Sequence, residues 1–329
     1  MLFKSSRTVL FISSCLTLNG CVATKAAEQF PSPQLVQAQT KDARQRGQLI
    51  DLVHLEDIAQ PQLQEIASAF PGDIPVTNGA QLYRISYWTE FKGQPIKASG
   101  LFVVPSEAAT AKGVVAYFHG TNPTRAGSPS LPGRVDGLQE AAIFSGNGYF
   151  VALPDYIGMG VSHEPQPYLV TEPQVHDSID MLKAVRSGVA KLQRQWSGNL
   201  MMMGFSQGGQ IVAGVHRALE QKPVPDYHLK GSIGIAGPYG LREISMPKAR
   251  EKNCFLCVGY LAWASYAYAT YYDHPLDEAL LPQYKALLPK LVDGSKSGVE
   301  LATSIPGDAS LVFQPAFLKQ LKNNEDNWL

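Results

Sequence analysis

The segment Gly204-Phe205-Ser206-Gln207-Gly208 sets a serine between two glycines at the spacing of a nucleophile turn. Residues 200–203 ahead of it form a short apolar run. Ile211, Val212, Val215 and Leu219 behind it recur at helical spacing. Strand, tight turn and helix therefore follow one another here. Such a turn forces the serine into an unfavourable backbone conformation, and a β-carbon on either glycine would collide with strand or helix. It throws the Ser206 hydroxyl outward and aims the unpaired N–H groups of the new helix, beginning with Gln207, at the same spot. The chemistry this suits is attack by a hydroxyl on an electrophilic carbon, with the charge that develops on oxygen held by backbone N–H groups.

The elements that must position this turn alternate in type. Residues 46–70 carry a helical pattern through Leu49, Leu52, Val53, Ile58, Leu63, Ile66 and Phe70, interrupted by Pro61. Residues 82–89 alternate like a strand, 91–95 turn, and 98–104 return as a second strand, which makes a hairpin. The continuous apolar runs 113–118 and 149–153 read as strands buried on both faces. Residues 138–144 and 174–195 read as helices, and 230–236 is the strand after the serine's helix. Strands alternating with helices predict an α/β fold, a mostly parallel sheet with helices on both faces. Ligands bind such sheets beyond the carboxyl ends of the strands. His119-Gly120-Thr121, Asp155-Tyr156 and Ser206 all fall at such ends, so three loops meet at one site. Residues 239–317 change character. An aromatic-rich helix at 259–272 and a second helical stretch at 276–292 predict a helical cap over the serine. Its aromatic residues are core material first, and in a cap they can also form a substrate wall.

These features together resemble the secretory lipase family of α/β-hydrolases. The matching residues are Tyr117-Phe118-His119-Gly120-Thr121, Pro154-Asp155-Tyr156-Ile157-Gly158-Met159-Gly160, the Asp180 helix with Lys183-Ala184-Val185-Arg186, and Gly204 to Gly209. The resemblance runs from about residue 80 to the last residue. It implies the α/β-hydrolase fold and hydrolysis of carboxylic esters through an acyl-enzyme on Ser206. The N–H of Gln207 and an N–H near Thr121 would form the oxyanion hole. His119 would support the oxyanion loop instead of acting as base. Asp155 would fix its loop by hydrogen bonds, the alternative being a triad acid. No cofactor is expected.

The pattern departs from the family after the serine. This fold orders its triad as serine, acid, histidine, and the resemblance puts acid and histidine after the cap, on the last two strands. Residues 318–329 read as the start of that segment, so the expectation is a chain missing the last two strands and the acid and base they carry. Three histidines follow Ser206. His216 lies ten residues along the helix, about 15 Å at 1.5 Å per residue. His228 precedes a strand, at the wrong end of the sheet. His274 in the cap, with Glu243 as acid, is the fallback pair. A degenerate hydrolase, an anchored binding or scaffolding lipoprotein with the turn but no triad, is the second expectation.

Composition sets the setting. The formal net charge is zero, which argues against a nucleic-acid partner or a polybasic membrane surface. Lys4 and Arg7 followed by apolar residues 9–18 form a targeting segment too short to span a bilayer. Leu18-Asn19-Gly20-Cys21 resembles a bacterial lipobox, which implies a lipid-anchored Cys21; an ordinary secretory signal is the alternative. Val22 after the cysteine favours, by resemblance, the outer membrane. The domain expectation is a signal at 1–20, a tether with a helical extension at 21–75, the α/β core at 76–238, the cap at 239–317 and the incomplete segment at 318–329. In an oxidising compartment Cys254 and Cys257 suit a local disulfide, and two ligands are too few for a structural zinc site. Small ester or lipid molecules and a membrane reached through the anchor are the expected partners. The lipid prediction is checked by mass spectrometry of the N-terminal peptide: a mature N-terminus at Cys21 carrying lipid is expected, and an unmodified Cys21 or a start elsewhere refutes it.

Overall fold

The computed structural model describes residues 44–249 and 256–323; Cys21, the signal, most of the tether and Cys254 lie outside them. In chain order the strands are β1 (Leu49–Ile58), β2 (Ala80–Phe91), β3 (Gln94–Pro105), β4 (Thr110–Ala111), β5 (Val114–Phe118), β6 (Phe150–Pro154), β7 (Gln195–Trp196), β8 (Asn199–Phe205) and β9 (His228–Ile235). The helices are α1 (Gln60–Ser68), α2 (Leu138–Ile143), α3 (Thr171–Lys191), α4 (Gln207–Gln221), α5 (Met246–Ala249), α6 (Cys257–Tyr272), α7 (Pro282–Leu291), α8 (Gly298–Ser304) and α9 (Pro315–Asn323).

Seven strands form one sheet in the order β1-β2-β3-β6-β5-β8-β9. The first three pair antiparallel and β3 joins β6 antiparallel, while β6, β5, β8 and β9 run parallel. Alternation along each strand divides the core into two layers. Phe102 and Val104 of β3 face α3 and α4, with Met181, Val185, Ile211 and Val215. Leu101 and Val103 face α1 and α2, with Leu63, Ala67, Ala141 and Ala142. The helices thus cover both faces.

Two expectations change. Residues 49–58 form an edge strand, not a helix. The spacing of Leu49, Leu52, Val53 and Ile58 imitates a helix because two register shifts, near Leu49/Asp51 and His54/Glu56, break the alternation. The helix begins only at Gln60, with Pro61 in its first turn, where the missing N–H of proline costs nothing. At the other end, residues 318–323 continue α9, and Leu321 joins Phe317 in the cap's core. They belong to the cap, not to a further core segment.

The cap has its own apolar core, built around Trp263 of α6 with Leu288 and Leu291 of α7, Leu301 of α8 and Phe317 of α9. It meets the sheet domain at the hairpin tip, where Lys92 pairs with Asp273 and Phe91 contacts Tyr271 edge to face. At the opposite side of the molecule β9 ends the sheet, and its Ile233 is 59% exposed. Among the described residues no helix is long and apolar enough to cross a membrane.

A charged network locks α3 onto the hairpin. The buried Asp180 accepts from Thr89 and pairs with Arg46 and Lys183, while Arg46 also reaches Glu90. One turn earlier, Asp177 is fully buried. It accepts a hydrogen bond from the Tyr87 hydroxyl on Oδ1 (2.9 Å), and its Oδ2 has no partner. Burial pushes its pKa up to about 8, with the nearby carboxylates of Asp180 and Asp155 adding to the shift against the Tyr87 bond. A carboxyl whose pKa is higher folded than unfolded favours the native state at low pH. That contribution is complete below the unfolded value and is lost as pH rises toward 8. Asp177→Asn is therefore expected to gain on the wild type in melting temperature between pH 5 and pH 8; a constant difference across that range in thermal melts contradicts the assignment.

Candidate active site

Phe205 ends β8, Gln207 begins α4, and Ser206 makes the turn between them with φ 54° and ψ −118°. An L-residue reaches that conformation only when its surroundings hold it there, at about 1–3 kcal/mol. The glycines are the reason the turn closes. A β-carbon at Gly208 would stand 1.8 Å from the carbonyl oxygen of Phe118, and one at Gly204 would stand 2.3 Å from the carbonyl oxygen of Gly208. From the other side the Ser206 N–H donates to the carbonyl of Ile235 on β9 (2.8 Å), and Gly209 N–H donates to the Ser206 carbonyl (2.9 Å). Gly120 lies alongside: a β-carbon there would be 3.7 Å from that of Ser206. The loop after β5 and the first turn of α4 therefore converge on the serine. The first N–H groups of a helix have no intrahelical acceptor and carry the positive end of its dipole.

Ser206 is half-buried and opens on a cavity of about 250 Å³ between the strand ends and the cap. Leu169, Pro238, Leu241, Met246, Leu261 and Ala264 give it an apolar lining, and Gln207, Ser245 and the tyrosines Tyr168 and Tyr260 add polar groups. Tyr168 is the joint between loop and cap. Its hydroxyl lies 3.0 Å from that of Thr121, and its ring stacks on Trp263 at 4.3 Å. Burial pushes the Tyr168 phenol far above its ordinary value, so it is neutral. The carbonyl of Leu169 next to it accepts from Gln210 of α4 (3.1 Å) and from Tyr268 of α6 (3.3 Å). Nothing in residue spacing pointed to Tyr168, Leu169 or Gln210, because each contact joins segments far apart in the chain.

Of the residues singled out in the sequence, Ser206 and Gln207 line the cavity and Thr121 reaches it through Tyr168. His119 is fully buried behind the loop. Its Nδ1 donates to the Gly120 carbonyl (2.8 Å), its ring stacks on Tyr156 at 4.1 Å, and the Tyr156 hydroxyl donates to its carbonyl. It supports the loop. Asp155 is buried too and accepts from the Ser130 N–H and from the hydroxyls of Ser130 and Ser99. Burial raises its pKa while the serines oppose the rise. It ties loops together away from the hydroxyl.

Glu243 is exposed in the turn Leu241–Ser245, and His274 is exposed beyond the carboxyl end of α6; neither lines the cavity. His216 lies on the flank of α4, between Ser232 (2.8 Å) and Glu220 (3.3 Å), and His228 begins β9 at the opposite end of the sheet. All seven histidines fall among the described residues, and none lines this cavity. Among the described residues no carboxylate lines it either. Cys257, on the cavity wall, is disulfide-bonded. Among the described residues no cluster of metal-binding side chains occurs.

No protein-family model matches the chain, and comparison with curated proteins finds no significant match. Solved structures do match. A protein of Legionella pneumophila named as a hydrolase is 28% identical with a TM-score of 0.79, the likeness covering 85% of this chain and 76% of that one. The rice cell wall degrading esterase LipA of Xanthomonas oryzae is 22% identical with a TM-score of 0.77, covering 86% and 77%. Candida antarctica lipase A in its closed state is 12% identical with a TM-score of 0.59, covering 84% and 62%. At such identities the last two are likenesses of fold. The chain has an α/β-hydrolase fold, with a central sheet flanked by helices on both faces and a helical cap.

The geometry of the turn predicts opposite effects for two small substitutions. Ser206→Gly relieves the strained backbone and is expected to raise unfolding free energy by about 1 kcal/mol relative to Ser206→Ala. Gly208→Ala drives a methyl group into the Phe118 carbonyl and is expected to cost more than about 4 kcal/mol or abolish folding. Denaturant titrations of the three variants check both; equal midpoints contradict the strain.

Proposed function

We propose that this chain is the nucleophile-bearing part of a carboxylic ester hydrolase that works through a Ser206 acyl-enzyme. The observation that carries the reading is a serine held at φ 54° and ψ −118° between strand and helix, facing an apolar cavity under a cap. The esterase and lipase folds it resembles support it. In the reaction the Ser206 oxygen attacks the ester carbonyl carbon while a base removes its proton. The carbonyl oxygen takes up the negative charge, held by the Gln207 N–H and an N–H near Thr121. Collapse breaks the carbon–oxygen bond to the alcohol, which leaves with the proton, and water then releases the acid by the same route.

The base is the missing part. With no imidazole and, among the described residues, no carboxylate on the cavity walls, the Ser206 hydroxyl stays protonated and weakly nucleophilic. We propose that acid and base come from residues beyond these 329, on strands added to β9. A strand added parallel to β9 would end at the same edge as Ser206, so the loop after it would fall beside the cavity. The segment up to Cys21 supports export and a lipid anchor for the whole. The same bare walls favour a second reading, a lipid-anchored binding or scaffolding protein that has lost catalysis.

Triad members act as a unit, so removing the serine from a site without a base costs nothing further. The chain alone is therefore expected to hydrolyse p-nitrophenyl butyrate no faster than its Ser206→Ala variant. Added imidazole, a small base able to enter the cavity, is expected to raise the rate of the serine protein above that of the variant. An equal response in both supports the binding protein. Strong Ser206-dependent turnover without imidazole overturns the absence of a base and directs mutation to His274 and Glu243.

A further inference from the structure

Leu169 carries a backbone strain that no surface turn explains. Lys92, Gln193, Asp226 and Asp273 also take positive φ, but they are exposed residues in turns. Leu169 is branched, buried and held at φ 60°, a region that bulky L-residues occupy only under constraint. The constraint comes from two sides. Its carbonyl accepts from the Gln210 side chain of α4 (3.1 Å) and from the Tyr268 hydroxyl of α6 (3.3 Å). Gln210 is steadied by a second bond, to the Thr171 hydroxyl (3.0 Å). The strap that contains Leu169, residues 166–170, lies between β6 and α3 in the chain. Yet Tyr168, Leu169 and Val170 pack in the cap's core, with the Tyr168 ring stacked on Trp263. At its other end the strap is tied to the sheet domain, where Gln174 of α3 donates to the Pro167 carbonyl (2.9 Å).

We propose that residues 166–170 are a loaded latch between the sheet domain and the cap, with Leu169 as its strained element. While the cap is down, Tyr268 and Gln210 clamp the Leu169 carbonyl and the strain is stored. When α6 lifts, the Tyr268 bond and the stack of Tyr168 on Trp263 break together, and Leu169 swings back to negative φ. The strain released in that step lowers the cost of lifting the cap. Two observations select a latch over a static brace. The clamp is shared between α4 and α6, one in each of two separately packed cores, so movement of one past the other undoes it. Tyr168 and Leu169 also line the Ser206 cavity, so undoing the latch reshapes its wall as the cap opens. The device acts on entry to the cavity whatever the cavity binds, and does not rest on the ester reading.

Alanine and glycine at position 169 differ by one methyl group, and a strained positive φ makes glycine the better of the two. Both lack the leucine side chain, so comparing them cancels its packing. The test is hydrogen–deuterium exchange, read by mass spectrometry, on the full chain carrying Leu169→Ala or Leu169→Gly. Global unfolding releases the strain in any case, so the most protected amides of β5 and β8 report whether strain exists. The amides of α6 and α7 report whether lifting the cap releases it. Exchange in α6 and α7 is expected to be about fivefold slower in the glycine variant than in the alanine variant. Tyr268→Phe, which removes only the clamping hydroxyl, is expected to speed exchange in α6 and α7 about fivefold. Slowing in β5 and β8 with no change in α6 and α7 makes Leu169 a static brace and overturns the latch. No slowing in any of them overturns the strain, and unchanged cap exchange in Tyr268→Phe overturns the clamp. Should the variants at 169 not fold, Tyr268→Phe on the natural chain still decides.

Discussion

One close approach of backbone to backbone governs this molecule. The first turn of α4 presses so tightly on the end of β5 that only hydrogen fits on Gly208 beneath the Phe118 carbonyl. That contact fixes the direction in which α4 leaves the sheet, and with it the strained turn at Ser206. The strain is offset by packing elsewhere. Ile211, Val212, Val215 and Leu219 bury the apolar face of α4 against the sheet, and each such side chain is worth about 1.5–3 kcal/mol. β9 closes the arrangement from the far side by accepting the Ser206 N–H. The turn that carries the Ser206 hydroxyl is thus held by three strands and a helix.

The cap depends on the same contact less directly. Its core around Trp263 is separate from the two layers of the sheet. It is joined to the site by two short polar links, Thr121 to Tyr168 and Gln210 through Leu169 to Tyr268. Both links are partly sheltered from water, where a hydrogen bond is stronger and its loss more costly than at the surface. The apolar cavity lies between these links, so its shape is set by α4 and by α6 together.

The parts of this arrangement governed by local rules were legible in the sequence. The two glycines around Ser206 announce a turn that tolerates no side chain, and the apolar runs ending at Phe118, Pro154 and Phe205 announce buried parallel strands. The structural places of His119 and Asp155 were implied by the family resemblance of their motifs, not by spacing. What escaped was set by distant contacts. β1 was hidden because its bulges give an edge strand the spacing of a helix. Residues 318–329 were read as the start of a further core segment, whereas Phe317 and Leu321 pack into the cap's core with α6. The roles of Tyr168 and Leu169 depend on partners tens of residues away, and no spacing could point to them.

The division into separate cores also bears on time. A protein with two packed centres opens in cooperative units, and the unit with fewer ties opens more often. The sheet domain is bound by ladders of backbone hydrogen bonds, whereas the ties of the cap to it are scattered: the Leu169 carbonyl, the Tyr168 joint, the hairpin-tip contacts of Lys92 and Phe91, and the bonds that Thr124 and Arg125 donate to the carbonyls of Lys296 and Gly294. Amide exchange in α6 through α9 would then run ahead of exchange in β5 and β8. Entry to the serine would be paced by helices lifting as a body, on the microsecond-to-millisecond scale of lid motions. The turn below would keep its geometry throughout, because nothing that moves is part of what strains it.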